Sequence, residues 1–355
     1  MKAMGNQVSA VFDRKANTTM RAAVLHEAKQ PLTLEEVAIP NLEPDDVLVK
    51  VEVCGVCHSD LSIMDGEWAQ LKRLTKANLI PGHEVVGEVV EKGDAVTHLE
   101  VGDRVGVAWL HWSCGACELC QDGLENLCPS QRITGLSQDG GFAEFIKAKA
   151  SHALKVPQSL DSAAAAPLFC AGVTSYRAVK NAHLQAGQRL AVFGIGGLGH
   201  LVVQIAKAQQ AQVIAVDIAD DKLALAKEVG ADVTINALNE DVAKTIRKQG
   251  GAHAVVVTAN AKAAFQQAFS AVRSAGTLVV VGLPSEDLNF AAIQMREIKI
   301  TSAATGTRAD QREVLNLAAQ GKIACRTEAS DLASINQIFD RMRAGKIQGR
   351  VVVKI

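Results

Sequence analysis

The 355-residue sequence predicts an α/β fold, in which a doubly wound, six-stranded parallel sheet is joined to a β-rich region. Six apolar strand candidates follow one another in the second half: RLAVFG, QVIAVD, VTIN, AVVVTA, GTLVVVGL and EIKITSA. Helical patterns separate the first five, such as HLVVQIAKAQQ, DKLALAKEVG and KAAFQQAFSAVRSAG. Strands that alternate with helices indicate parallel βαβ units, and six such strands complete a doubly wound sheet.

The first half of the chain has a different pattern. Its short β-branched runs are separated by Gly, Pro and Asp and predict a β-rich region: MRAAVLHE, DVLVKVEVCGV, EVVGEVVEKG and GDRVGVAW. The segment 306–355 is helix-rich until GRVVVKI, a strand without an obvious partner in the parallel sheet. We therefore expect that strand to rejoin the first region. The predicted division is one domain of residues 20–171, completed by 306–355, and a second of residues 172–305.

Several classes of protein are disfavoured by composition. Residues 1–19 are polar and lack the apolar core of a signal peptide, so they predict a disordered leader. No apolar run approaches the roughly 20 residues that span a bilayer. A formal charge of −1 gives no reason to expect nucleic acid or membrane partners. Eight cysteines without an export signal indicate the cytoplasm, where clustered cysteines usually bind metals or take part in catalysis.

The stretch GIGGLG fits the pattern G-x-G-x-x-G. It directly follows the strand RLAVF and opens a helical pattern, which is the context of a dinucleotide-binding Rossmann loop. Gly194 permits the tight turn, Gly196 lets the backbone approach a pyrophosphate, and Gly199 lets helix and strand pack closely. Gly197 and Leu198 complete the loop, and the N-terminus of the helix offers N–H groups to phosphates. A flexible glycine turn is the alternative.

Asp217 ends the second strand, QVIAVD, and is placed to bind the hydroxyls of the adenosine ribose. It would also repel the 2′-phosphate of NADP. A like-charge pair at about 4 Å costs about 1 kcal/mol in water and about 4 kcal/mol at an effective dielectric constant near 20. The sequence therefore favours NAD over NADP, and Lys222 is expected to support the ribose.

Half of the cysteines form the pattern C-x2-C-x2-C-x7-C in one short loop. They are Cys114, Cys117, Cys120 and Cys128. Four thiolates can close a tetrahedral shell around zinc without an open position, which is typical of a structural site. An iron–sulfur cluster is the rival interpretation, because thiolates also bind iron, and scattered free thiols are a third.

The other four cysteines, Cys54, Cys57, Cys170 and Cys325, are dispersed. A catalytic zinc needs three protein ligands and one open position. The candidates are one cysteine of CGVCHSDLS, His83 of PGHEVVG, and Cys170 of PLFCAG. HEVVG lacks the second histidine of H-E-x-x-H, which excludes a zinc-protease helix. Spacing alone does not assemble residues so far apart, and a structural histidine is an equal alternative for His83.

Together the motifs resemble those of the zinc-dependent medium-chain alcohol dehydrogenases. GVCHSD, PGHEVVGEV, the four-cysteine loop, PLFCAGVTSY and GIGGLGH occur in the same order, and the resemblance extends over nearly the whole chain from Met20. GTRAD and the final GRVVVKI are most similar to the tetrameric bacterial and yeast-type branch. The resemblance implies a GroES-like catalytic domain, a Rossmann domain, two zinc ions per chain, NAD as cofactor and a homotetramer.

The resemblance also implies a role for particular residues. Cys57, His83 and Cys170 would hold the catalytic zinc, with the Glu84 carboxylate nearby and Asp60 orienting His83. Cys54 and Cys325 would be buried as small hydrophobic residues. The remaining implied roles are proton acceptance from the alcohol by Ser59, contact with the cofactor pyrophosphate by His58 and Arg350, and contact with the nicotinamide by Thr174.

The resemblance implies hydride transfer between a small primary alcohol or aldehyde and NAD. Trp68 and Trp109 match pocket-lining tryptophans that would favour small alcohols, although core packing would also explain them. The stretch GEWAQLKRLTKANLIPGHE is longer and more basic than usual, which leaves substrate size open. Alternatives are a zinc dehydrogenase for aromatic, secondary or polyol alcohols, and a non-catalytic scaffold that binds zinc and nucleotide.

The sequence departs from the family at Ser62. In the yeast-like enzymes a histidine at this position, three residues after the Ser or Thr of the motif, passes the proton to solvent. A serine hydroxyl can relay a proton but cannot hold one near neutral pH, whereas histidine can. We therefore expect proton release to be slower here or to pass through water.

Overall fold

The structure is a computed structural model that describes residues 12–14, 16–68, 71–283 and 288–355. The β-rich half contains β1 (Thr19–Val24), β2 (Thr33–Ala38), β3 (Asp46–Val56), α1 (His58–Met64), β4 (Glu84–Lys92), β5 (Arg104–Val107), β6 (Leu110–Trp112), α2 (Glu118–Gln121), β7 (Arg132–Ile133), β8 (Phe145–Lys149), β9 (Ala153–Lys155) and α3 (Ser162–Ala165). Among the described residues, no helix is long and apolar enough to cross a membrane.

The second half alternates strands and helices, as the sequence predicts. It contains α4 (Ala171–Asn181), β10 (Arg189–Phe193), α5 (Gly199–Ala208), β11 (Gln212–Asp217), α6 (Asp220–Glu228), β12 (Val233–Asn236), α7 (Val242–Lys248), β13 (Ala252–Val257), α8 (Lys262–Ala271), β14 (Val272–Val280), α9 (Phe290–Arg296) and β15 (Lys299–Ser302). The chain ends with α10 (Arg308–Ala319), β16 (Thr327–Asp331), α11 (Ile335–Arg343) and β17 (Arg350–Lys354).

The parallel sheet has the strand order β12-β11-β10-β13-β14-β15, and all its pairs are parallel. This confirms the predicted six-stranded, doubly wound sheet. The chain moves outward from β10 to β12 and then returns to β13 on the other side of β10. The crevice between the carboxyl ends of β10 and β13 is therefore the switch point, where ligands of such sheets bind.

One predicted helix boundary was wrong. The pattern KAAFQQAFSAVRSAG predicts a helix that continues to Gly276, but α8 ends at Ala271 and β14 begins at Val272. Val272 pairs with Ala252 and is buried in the core between sheet and helices. Ala275 has a φ of 57°, a left-handed conformation that a helix does not contain. Burial of Val272 in the sheet therefore outweighs the local helical pattern.

The antiparallel sheet of the β-rich half has the order β16-β17-β3-β4-β5-β9, with β8 also paired to β3. Strand β17 pairs antiparallel with β3, with Val351 opposite Val56, which confirms that the final strand rejoins the first region. On its other side β3 pairs with β4, and Gly55 faces Glu84. This pairing brings the residues just after β3 close to those that begin β4.

The predicted leader lies partly outside the described residues, since 1–11 and 15 are not described. Its described part contacts the β-rich half rather than standing apart from it. The Phe12 ring centroid lies 5.1 Å from that of Phe145, and Arg14 forms a 2.8 Å ion pair with Glu91. Strand β1 already begins at Thr19.

Helices α4 and α10 are joined by a buried ion pair. Arg177 Nη1 lies 2.9 Å from Asp310 Oδ2, and Lys180 Nζ lies 2.8 Å from Asp310 Oδ1. The Asp310 carboxylate also accepts the backbone N–H of Thr307, closing a capping box at the start of α10. The Asp310 carboxylate thus caps the N-terminus of α10 and fixes this helix against α4.

We predict that Asp310→Asn lowers the free energy of unfolding by about 3–5 kcal/mol, because it leaves the buried Arg177 guanidinium without a counter-charge. Urea denaturation measures this difference. The control is Asp340→Asn, whose ion pair with Arg343 is exposed and should contribute little. Equal losses of stability in the two variants would contradict the role given to Asp310.

Candidate active site and metal centres

Four buried side chains converge at the end of the β3–β4 pair. Cys57, His83, Glu84 and Cys170 each place one ligand atom so that all four atoms lie within 4.8 Å of one another. Cys57 precedes α1, His83 directly precedes β4, Glu84 is the first residue of β4, and Cys170 precedes α4. Tetrahedral zinc with Zn–S bonds of about 2.3 Å would separate two sulfurs by about 3.8 Å. The Sγ atoms of Cys57 and Cys170 are 3.8 Å apart.

Asp60 fixes this cluster by accepting three hydrogen bonds. His83 Nδ1 donates to Oδ1 at 2.9 Å, Gly82 N to Oδ1 at 3.2 Å, and Cys57 N to Oδ2 at 2.9 Å. Because Nδ1 is occupied, Nε2 is the nitrogen left for a metal, and it is buried without a hydrogen-bond partner among the described residues. Two thiols and a buried, unpartnered imidazole nitrogen fit a zinc ion.

Glu84 lies between the cluster and Arg350. Arg350 Nη2 is 2.9 Å from Glu84 Oε1, and burial raises the pKa of Glu84 to about 8. Gly55, opposite Glu84 in the strand register, makes room for this carboxylate, because a Cβ at Gly55 would collide with Glu84 Oε2. Gly55 was not among the residues predicted from the sequence, although a glycine inside a strand signals a close approach.

The groups of the cluster hold protons that a metal ion would displace. The pKa of Cys57 is well below its usual value, first because Cys170 donates a hydrogen bond to it and then because Arg350 and His83 lie near. Burial opposes the charged form of His83, but the Asp60 carboxylate raises the pKa of that imidazole well above its usual value. Metal binding displaces protons from such ligands, so a cation would replace the protons that these groups share.

The four-cysteine loop forms a second cluster. The ligand atoms of Cys114, Cys117, Cys120 and Cys128 all lie within 4.8 Å of one another. Sulfur–sulfur distances of 3.6, 3.9 and 4.0 Å match the edge of a zinc tetrahedron, about 3.8 Å. Cysteines that bind different irons of a cluster would stand further apart, so the geometry fits a single ion with four sulfur ligands.

The glycine loop lies at the switch point of the parallel sheet. Gly194 has a φ of 94°, and a Cβ at Gly199 would collide with the Gly194 carbonyl, so both positions require glycine. A Cβ at Gly196 would meet nothing within 4 Å, which leaves open space at the N-terminus of α5. That space and the adjoining N–H groups fit a dinucleotide phosphate. The loop therefore has the sharp turn, the open space and the close helix packing that such a phosphate site requires.

Arg350 and Asp217 both contact the glycine loop. A Cβ at Gly197 would lie 3.1 Å from Arg350 Nη1, so this guanidinium contacts both Glu84 and the loop. Asp217 Oδ2 accepts the N–H of Ile195 at 2.7 Å at the end of β11. Lys222 is half-buried in the first turn of α6, the helix that follows β11.

Three residues that support the loop were not identified from sequence. Thr258 Oγ1 donates to the Gly194 carbonyl at 2.7 Å, Ser175 Oγ to that of Leu198 at 3.0 Å, and His200 Nδ1 to that of Gly196 at 2.8 Å. Burial lowers the pKa of His200 to about 4, so it is a neutral donor. The only signal in the sequence was the histidine that follows GIGGLG.

Trp109 lies beside the first cluster, and the predicted relay and nicotinamide residues lie on the helices that follow Cys57 and Cys170. The Trp109 ring is 4.9 Å from that of His83 and 6.2 Å from that of Trp68, with edge-on geometry in both cases. Ser59 is half-buried and His58 exposed in the first turn of α1. Thr174 is buried in α4. Cys54 and Cys325 are buried outside both clusters.

Comparison with known proteins gives the family. The model for "Alcohol dehydrogenase GroES-like domain" matches residues 43–158, and the model for "Zinc-binding dehydrogenase" matches residues 197–320. An alcohol dehydrogenase of Geobacillus stearothermophilus is 48% identical over 339 residues, which cover 95% of this chain and 99% of the relative. The chain belongs to the zinc-containing medium-chain alcohol dehydrogenase family. It is an alcohol dehydrogenase, an oxidoreductase that acts on CH–OH groups.

Two further relatives are also alcohol dehydrogenases. An alcohol dehydrogenase of Moraxella sp. (strain TAE123) is 47% identical over 337 residues, covering 94% of this chain and 99% of that one. The crystal structure of the alcohol dehydrogenase of Aeropyrum pernix superimposes with a TM-score of 0.88 at 34% identity, covering 94% of this chain and 100% of the other. The predicted combination of a Rossmann-like parallel sheet and a β-rich GroES-like domain is thereby confirmed.

We predict that Asp60→Asn weakens zinc binding at the Cys57 cluster by about 10–100-fold, because an amide cannot accept all three N–H groups that now converge on the carboxylate. Competition with a chelating dye measures the affinity. Asp65→Asn is a matched control on the next turn, where the carboxylate binds Arg343 at 2.7 Å instead. An Asp60→Asn affinity equal to that of this control would rule out the orienting role.

Proposed function

We propose that this dehydrogenase uses NAD to oxidise small primary alcohols, or to reduce the corresponding aldehydes, with two zinc ions in each chain. The observation that carries the proposal is the set of three candidate zinc ligands, Cys57, His83 and Cys170, in a cluster whose fourth side chain, Glu84, is paired with Arg350. It lies beside Trp109 and is linked through Glu84 and Arg350 to the glycine loop. Three protein ligands with room for a fourth are typical of a catalytic zinc, whereas the four-cysteine loop is closed and structural.

The bound groups would supply the chemistry: zinc lowers the pKa of an alcohol, and the nicotinamide accepts hydride. The chain supplies position and proton transfer. Ser59 takes the proton of the alcohol. This serine is half-buried in the first turn of α1, two residues after Cys57. Trp68 and Trp109 narrow the pocket and so favour short alcohols. Glu84 supplies a carboxylate close to the metal ligands.

We propose that the cofactor is bound by the glycine loop and by residues around it. His58 and Arg350 bind the pyrophosphate together with the loop N–H groups, and Thr174 lies against the nicotinamide. Asp217 accepts the ribose hydroxyls, with Lys222 in support. The hydrogen bond from Ile195 N holds the Asp217 carboxylate at the end of β11. The negative charge of this carboxylate would repel a 2′-phosphate, which favours NAD over NADP.

A substrate panel tests this function. Initial rates with ethanol, hexanol, benzyl alcohol and 2-propanol are followed by the absorbance of reduced nicotinamide, with NAD and NADP in parallel. We expect the highest kcat/KM for a short primary alcohol with NAD. Preference for benzyl alcohol, 2-propanol or a polyol would contradict the proposed substrate class, and preference for NADP would contradict the role of Asp217.

We predict two zinc ions per chain in protein purified without chelators, measured by elemental mass spectrometry. Cys57→Ser should lose one zinc and the activity, because it removes a ligand of the open site. Cys117→Ser should lose the other zinc and lower the melting temperature, because a four-cysteine shell stabilises its loop. Cys54→Ala is the matched control and should keep both ions. An inactive wild-type chain with a single zinc would contradict the catalytic site.

We also propose that the chain forms a homotetramer and works in the cytoplasm. Strand β15 is an edge of the parallel sheet, and nearby Leu288, Phe290 and Met295 are exposed. An open edge beside apolar side chains suits pairing with a second copy. Light scattering coupled to gel filtration gives the mass of the assembly, and a monomer at micromolar concentration would contradict this proposal.

A further inference from the structure

Ser62, where the resemblance to the yeast-like enzymes would place a histidine, is not an isolated hydroxyl. It is 5% exposed in α1, and its Oγ donates a 2.8 Å hydrogen bond to Oε2 of Glu67. Ser59 lies three residues earlier on the same helix, so the two serines share one face, with Cβ atoms about 5–6 Å apart. One bridging water spans a gap of that size.

The position of Glu67 is fixed by the turn after α1. Its backbone N–H donates to the Ser62 carbonyl at 3.0 Å, so Ser62 is bonded to both the main chain and the side chain of Glu67. The intervening Gly66 has a φ of 66°, and Asp65 is anchored by its ion pair with Arg343 of α11. Glu67 itself is an exposed residue. The pair therefore connects a buried hydroxyl to solvent.

We propose that Glu67 is the solvent end of the proton path from the substrate hydroxyl, with Ser62 as the group that hands the proton to it. This inference rests on the proposed function, in which Ser59 receives the proton of the alcohol. Each serine accepts one proton and releases one, so both hydroxyls end unchanged. The Glu67 carboxylate takes up the proton, becomes a neutral carboxyl and returns the proton to water. The hydride leaves separately to the nicotinamide.

The chemistry of the pair explains why a serine can stand at this position. A hydroxyl both donates and accepts, so it relays a proton without storing it. An ionised carboxylate is an acceptor only, and it becomes a donor once it is protonated. Together the two residues could do what a single histidine would do at this position. The buried Ser62 passes the proton on, and the exposed Glu67 exchanges it with solvent.

The test is Glu67→Gln in the full-length zinc-loaded enzyme. Glutamine keeps the length of the side chain and an acceptor oxygen for Ser62, but it cannot take up a proton. We expect kcat for alcohol oxidation to fall roughly tenfold with KM nearly unchanged. This loss is smaller than the roughly 10²–10⁴-fold of a group that contacts the reacting atoms, because water replaces the carboxylate slowly. The solvent isotope effect should rise, and added imidazole should restore the rate.

A second readout follows the proton itself. Rapid mixing of enzyme, NAD and alcohol with a pH indicator should show a slower proton-release phase in Glu67→Gln than in the wild type. Glu100→Gln removes an exposed carboxylate that pairs with Lys92 outside α1 and its turn, and it should leave rate, isotope effect and proton release unchanged. Ser62→Ala should act like Glu67→Gln, and the double variant should lose no more than either single one, because the two residues act in series.

The outcomes separate two failures. If the wild type oxidises no alcohol, the proposed function fails and this inference fails with it. If the wild type is active and Glu67→Gln equals it in kcat, isotope effect and proton release, only the inference is overturned. Additive losses in the double variant would also overturn it, since they would mean that Ser62 and Glu67 act independently.

Discussion

The antiparallel pairing of β3 with β4 is the constraint on which the rest of the site depends. It places Gly55 opposite Glu84, and so brings Cys57 and His83 together where one strand ends and the next begins. Asp60 then holds the two ligands together, because its carboxylate accepts hydrogen bonds from Cys57 N and His83 Nδ1. A shift of one residue in this register would send the ligands to opposite faces of the sheet.

The second constraint comes from the end of the chain. Strand β17 pairs with the free side of β3, and its first residue, Arg350, extends between the metal ligands and the cofactor loop. Its buried guanidinium is balanced by Glu84 and lies beside Gly197. A buried charge of this kind is tolerated only with a partner, so the metal site and the cofactor loop are linked by one ion pair.

Sequence predicted most of the fold, because alternation of strands and helices is a local pattern and GIGGLG has a local context. It also predicted the four-cysteine site, whose ligands lie in one loop. Residue spacing could not join Cys57 to Cys170, since only strand register and the start of α4 bring them within reach; the family resemblance supplied that link. Gly55 had only the general signal of a glycine inside a strand, and Glu67 had none, because the part of Gly55 and the role proposed for Glu67 depend on contacts formed in the folded chain.

An anomalous difference map at the zinc absorption edge, from crystals of protein purified without chelator, tests the proposed zinc sites most directly. We expect two peaks for each chain. One should lie among the sulfurs of the 114–128 loop, and the other should be bonded to Cys57 Sγ, His83 Nε2 and Cys170 Sγ. A map with the loop peak alone, or with the second ion bound through Cys54, would rule out a catalytic zinc at Cys57, His83 and Cys170.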